Sequence, residues 1–148
     1  MLSQRETNTA FLTHLSGFAS FVFPLGAILG PLVMWSVNKG RSEFVDDNGI
    51  EAVNFNISYV LYVFVLGAIT FPFALGTFLN RFRHMDNFDN FHFDFDFSYG
   101  FNNLFGILSV GSIIGIIIFI RFVLTIVAAV KASRGESYKY PLTIKFIK

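Results

Sequence analysis

Three long apolar runs, residues 11–37, 52–79 and 104–130, alternate with polar joints along the chain. About 20 apolar residues suffice for a helix to cross the hydrocarbon core. Backbone amides in lipid have no water to bond, so each run is expected to be helical. The pattern predicts an all-α integral membrane bundle of three spans in a single domain, residues 1–148. The first run is interrupted by Pro24 and Pro31, with Gly26 and Gly30 beside them. Proline removes a backbone donor, and sharp bends gather at proline and glycine. That run is therefore expected to be broken: either one kinked span, or two half-length pieces, 11–23 and 27–37, folded as a re-entrant hairpin. Two small-xxx-small matches, Gly26 to Gly30 and Gly111 to Gly115, mark places where helices can approach closely.

The polar stretch between the first and second runs, SEFVDDNGIEAVNFNIS at 42–58, continues into the second run. Ser42 is a candidate N-cap with Glu43 in the first turn. A later start at Asn48, with Glu51 completing a capping box, and a simple turn through DDNG are the alternatives. Phe44, Val45, Asp46, Gly49 and Glu51 form the candidate cytoplasmic joint. Glu51, Asn54, Ser58 and Tyr62 then recur at helical spacing, so they share one face. Lipid disfavours such a stripe. It is expected to bond another helix or to line a polar cavity.

Arg121 lies inside the third run. A charge there is costly and marks a functional candidate unless it snorkels to the headgroups. The second span has no acid of its own, so Arg121 is expected to lean onto the face of Glu51, Asn54 and Ser58. His14 completes the candidate intramembrane polar network as a packing residue or, alternatively, a proton relay.

Composition sharpens the membrane reading. Hydrophobic residues make up 53% and charged residues 14%, against roughly a quarter charged in soluble domains. The absence of cysteine excludes disulfides, zinc-thiolate sites and cysteine nucleophiles. The net charge of +1 says little, but its distribution is uneven. Lys39, Arg41, Lys131, Arg134, Lys139, Lys145 and Lys148 fall at one side of the predicted bundle, Arg81 and Arg83 at the other, and Arg5 goes with whichever side holds the N-terminus. By the positive-inside rule, the C-terminus and the joint are cytoplasmic in a multi-pass protein of the cell membrane.

The 80–103 loop is a low-complexity Phe/Asp segment. His84, His92, Asp86, Asp89, Asp94 and Asp96 show no established ligand spacing, so a solvated loop touching lipid is expected rather than a metal site. The 131–148 tail is basic and stops its helix at Gly135. Tyr138, Tyr140, Pro141 and Lys145 are its candidate interfacial residues, with the tyrosines at headgroup level.

Four blocks, HLSG at 14–17, PLGAILGPLVMW at 24–35, FVDDNGIEAVNFNIS at 44–58 and KASRGESYKYPLTIKFIK at 131–148, resemble a set of small prokaryotic multi-span membrane proteins of unknown function. That set is distantly similar to the plastid import subunit Tic-twenty. The resemblance implies three or four hydrophobic segments and brings no catalytic residue. The expected function is a non-enzymatic structural or accessory membrane component, linked to protein translocation or envelope assembly. The alternative is a small oligomeric channel or transporter with a polar path through Arg121 and the Glu51–Tyr62 face. No catalytic residue, metal site or cofactor is expected. The expected partners are membrane lipid and a second copy or another membrane protein, not nucleic acid.

Overall fold

The computed structural model describes the backbone of residues 2–23, 25–83 and 97–148, and the side chains of these except at 73, 74, 77, 78, 80–83 and 97–111. The described residues are all-helical, with no strand: α1 (Gln4–Leu15), a 3-10 turn (Ser16–Phe21), α2 (Gly26–Asn38), α3 (Glu43–Arg83) and α4 (Phe97–Ser133). Among the described residues, two helices are long and apolar enough to cross a membrane, through Glu43–Pro72 and Ser112–Ser133. The chain divides into two compact units, one holding the residues up to Tyr62 with Phe119–Lys148, the other Val63–Ile118. In the second unit most of the described large apolar side chains, such as Phe64, Ile69, Phe71 and Ile116, are exposed.

The first run breaks into two pieces, as expected. At 13 residues α2 extends about 20 Å, short of a hydrocarbon core about 30 Å thick. Pro31 sits buried inside α2, while the chain reverses between the 3-10 turn and Gly26. Both ends of the resulting hairpin return to the same level of the first unit. Leu2 lies beside Gly135, and Trp35 packs against Gly49. The hairpin begins earlier than the apolar pattern suggested. Ser3 and Glu6 form a reciprocal capping box that starts α1 at Gln4. Ser3 also holds the Glu6 carboxyl below its usual range, through its backbone N–H first and its hydroxyl second.

The joint is one continuous helix. The Ser42 hydroxyl accepts from Val45 N–H at 3.3 Å, so Ser42 caps α3, and the DDNG stretch is helical rather than a turn. At the other end, α4 closes with Gly135 at φ +79°. Glu136 N–H donates to Lys131 O and Gly135 N–H to Ala132 O, the double bond of a Schellman stop.

The interior of the first unit is small and polar while its exterior is large and apolar. Fully or nearly buried positions include Ala10, Ala52, Ala128, Ala129 and Ala132, together with His14, Asn48, Asn54, Asn56, Ser58, Thr125 and Arg121. Only a modest apolar cluster forms, Phe55, Ala128 and Tyr140, with Leu124 and Tyr138 against it. That inversion suits a bundle whose outside meets acyl chains and whose helices associate through close packing and hydrogen bonds.

The first small-xxx-small match closes the hairpin. A Cβ at Gly26 would fall on the Ala19 carbonyl, and one at Gly30 on the Ser16 carbonyl. Gly115, of the second match, meets nothing within 4 Å. Gly26→Ala and Gly30→Ala should each destabilise the protein by about 1–3 kcal/mol, because backbone cannot step aside. Gly67→Ala, which meets open space on α3, should be neutral or gain up to about 1 kcal/mol from helix propensity. Thermal unfolding of the three variants in detergent checks this order.

Candidate functional site

Four polar side chains on the first turns of α3 each grip a different part of the first unit. Asp46 takes α2: its carboxylate accepts from Trp35 Nε1 at 3.1 Å and from Gly40 N–H at 3.0 Å. Gly49 gives the indole room, since a Cβ there would overlap the Trp35 ring.

Asn48 takes α1. Its Nδ2 donates to Phe44 O at 2.8 Å, which leaves Oδ1 to accept from His14 Nε2, 3.0 Å away. With Nε2 donating, His14 Nδ1 accepts from the Tyr140 hydroxyl at 2.9 Å. Burial pushes the Tyr140 phenol well above its usual range, so the hydroxyl keeps its proton. Tyr140 also stacks on Phe55 at 3.9 Å between centroids and meets Tyr138 edge-on.

Asn56 takes α4. Arg121, 6% exposed, donates through Nη2 to Gly17 O at 2.6 Å and to Asn56 Oδ1 at 3.0 Å, and through Nη1 to Ser20 Oγ at 3.0 Å. Its guanidinium also lies 4.4 Å from the centre of the Tyr59 ring. Every one of these partners is neutral. Nε is buried and has no hydrogen-bond partner among the described residues.

Asn54 takes the tail. Its Oδ1 accepts from Phe146 N–H at 3.1 Å and Ile147 N–H at 2.9 Å, and its Nδ2 donates to Ile147 O at 2.8 Å. Ser58 Oγ accepts from Ile144 N–H at 2.9 Å, and the Tyr62 hydroxyl donates to Leu142 O at 2.7 Å. The stripe of Asn54, Ser58 and Tyr62 is thus a track for the tail backbone. Glu51 lies beside it, lining a cleft of about 240 Å³ with Asp47, Tyr138, Lys139, Lys145 and Lys148.

These contacts redistribute the expected site. Arg121 does not lean on Glu51, Asn54 or Ser58, nor does it snorkel outward; it is held by Asn56 and the 3-10 turn. The Glu51–Tyr62 face is covered by the tail and does not join Arg121 in one path. His14 is a packing residue between α3 and the tail. Tyr140 is buried in the core rather than turned to the headgroups, while Tyr138 is half-buried and Pro141 and Lys145 are exposed. In the joint, Val45 and Gly49 are buried, Phe44 and Asp46 are half-buried, and Asp46 makes the tie to α2. The histidines and aspartates of the Phe/Asp loop lie outside the described residues. Asn56, Tyr59, Gly17 and Ser20 were missed, although one signal was available. Asn54 and Asn56 are two residues apart, about 200° around a helix, so one partner cannot serve both.

A double-mutant cycle separates the two placements of Arg121. Arg121→Met combined with Asn56→Ala should show a coupling of about 0.5–3 kcal/mol in unfolding free energy. Arg121→Met combined with Glu51→Gln should be additive to within about 0.5 kcal/mol.

No curated protein and no solved structure matches the chain. One family model does, over residues 5–147, which include three of the four sequence blocks that suggested a small prokaryotic family and all but the last residue of the fourth. It lends no support to a likeness to the plastid import subunit, nor to a translocation or channel role. Helices able to cross a membrane, a polar interior and a match over nearly the whole length lead to one assignment: the chain belongs to the magnetosome magnetite crystal formation protein family.

Proposed function

We propose that the chain is a non-enzymatic accessory protein of the magnetosome membrane that promotes growth of the magnetite crystal. The family match over residues 5–147 carries this reading. The polar groups of the first unit are engaged in holding helices and tail together, which suits a structural component better than a solute path. In this reading α3 and α4 cross the membrane and the α1–α2 hairpin is re-entrant, entering and leaving on one side. Its tip supports that placement, since Phe21, Val22 and Leu25 are exposed apolar residues. Arg5 then joins Lys39, Arg41 and the basic tail on the cytoplasmic side, leaving Arg81 and Arg83 on the other.

That topology puts the Phe/Asp loop on the side opposite the tail, inside the vesicle. Asp86, Asp89, Asp94 and Asp96 offer oxygen ligands suited to hard cations, and a growing iron oxide face presents such cations. The loop needs no enclosed site of fixed ligand number for this role. An array of carboxylates held near the membrane can act on a mineral surface collectively.

The reading predicts that magnetosome-forming cells lacking the protein make smaller crystals, measured by electron microscopy. Replacing the four loop aspartates with asparagine should shift crystal size toward that of the deletion strain, with the protein still present in the magnetosome membrane. Crystals of wild-type size in both strains would contradict it.

A further inference from the structure

The tail does not hang free in water. After Gly135 ends α4, the chain passes Tyr138 and Tyr140 and bonds α3 at three successive levels. Leu142 O meets Tyr62, Ile144 N–H meets Ser58, and Phe146 and Ile147 meet Asn54. On α3, Tyr62 lies eight residues beyond Asn54, about 12 Å further along the axis. The tail therefore reaches its far point near Leu142 and turns back toward the start of α3. Leu142 itself marks the reversal, with φ at +58°. On the return, Lys145 and Lys148 line the cleft beside Asp47 and Glu51.

Depth follows from the same helix. Tyr62 is 10 residues beyond Ala52, where the second apolar run begins, about 15 Å along α3 and half of a hydrocarbon core about 30 Å thick. The tip of the tail thus runs beside the apolar part of α3. Irregular backbone is tolerated at such depth where protein satisfies its polar groups, and Tyr62, Ser58 and Asn54 take up Leu142 O, the N–H groups of Ile144, Phe146 and Ile147, and Ile147 O. The side chains face the other way: Leu142 is 86%, Ile144 40% and Phe146 48% exposed. The segment carries four basic groups, Arg134, Lys139, Lys145 and Lys148, against one acid of its own, Glu136, and its lysines share their cleft with Asp47 and Glu51 of α3.

We infer that the tail is a re-entrant segment of one leaflet. Leu142 is its deepest point among the acyl chains, Ile144 and Phe146 lie shallower, and Lys139, Lys145 and Lys148 meet anionic headgroups. The alternation of apolar residues at 142, 144 and 146 then has a solvent, and the polar stripe on α3 has a purpose. This differs from a basic tail lying on the membrane surface, where an exposed Leu142 would face water.

The cysteine-free chain makes the test direct. Single cysteines replace Leu142, Phe146, Phe64 as the lipid-facing reference and Arg41 as the exposed aqueous reference, each carrying a nitroxide. The protein is placed in nanodiscs of phosphatidylcholine with phosphatidylglycerol. Collision with oxygen and with a water-soluble nickel complex gives depth. The label at 142 should resemble that at 64, with nickel collisions severalfold below those at 41, and the label at 146 should fall between. Lys139→Gln, Lys145→Gln and Lys148→Gln together should move 142 toward water, as should Asn54→Ala with Ser58→Ala. A label at 142 reading as at 41 would overturn the inference. Protection from both reagents with spin–spin broadening would overturn it too, by showing a second copy covering the tail.

Discussion

The architecture of the first unit depends on one constraint: polar side chains inside an apolar helix must find partners within the protein. Desolvated donors and acceptors are costly when left unmade, and the stretch of α3 through Tyr62 carries many of them. Each is answered by a different segment. Asp46 holds α2 through Trp35, Asn48 holds α1 through His14, Asn54 holds the tail, and Asn56 holds α4 through Arg121. The hydrophobic effect cannot select this arrangement where the surroundings are acyl chains. Direction comes from the hydrogen bonds, and close approach from the small residues between them.

Arg121 shows how far this logic extends. Its guanidinium is buried among a backbone carbonyl, an amide, a hydroxyl and an aromatic ring, without a carboxylate among them. Such a cation fastens the 3-10 turn of the hairpin to both long helices at one point. The break in the first apolar run is then a requirement, because the Gly17 carbonyl it bonds sits where α1 gives way to the 3-10 turn. The start of α3 and the basic tail gather at the same end of this unit, where Asp47 and Glu51 share a cleft with Lys139, Lys145 and Lys148.

Much of this was legible in the sequence. Apolar runs gave the helices, proline and glycine placed the break, Ser42 gave the start of α3 and Gly135 the end of α4. The stripe of Asn54, Ser58 and Tyr62 was also legible as a face. Its partner was not, because periodicity reports which residues share a side and is silent on what covers it. Proximity along the topology suggested Arg121, yet the covering element was the tail, an extended segment with no periodic signal of its own. Tyr140 misled for a related reason. An aromatic phenol next to lysines suits a headgroup belt, and only the hydrogen bond to His14 and the stack on Phe55 reveal a core residue. The start of α1 was written in Ser3 and Glu6, but the apolar signal begins only at Phe11, seven residues after Gln4.

Each α3 asparagine secures one segment and not the whole unit. Residue-resolved amide hydrogen exchange in nanodiscs tests it, comparing Asn48→Ala, Asn54→Ala and Asn56→Ala with the unaltered protein. Three local patterns are expected: faster exchange in α1 around His14 for the first, in the amides of Ile144, Phe146 and Ile147 for the second, and in the 3-10 turn around Gly17 for the third. One shared pattern of loss, or no change in any of them, would contradict it.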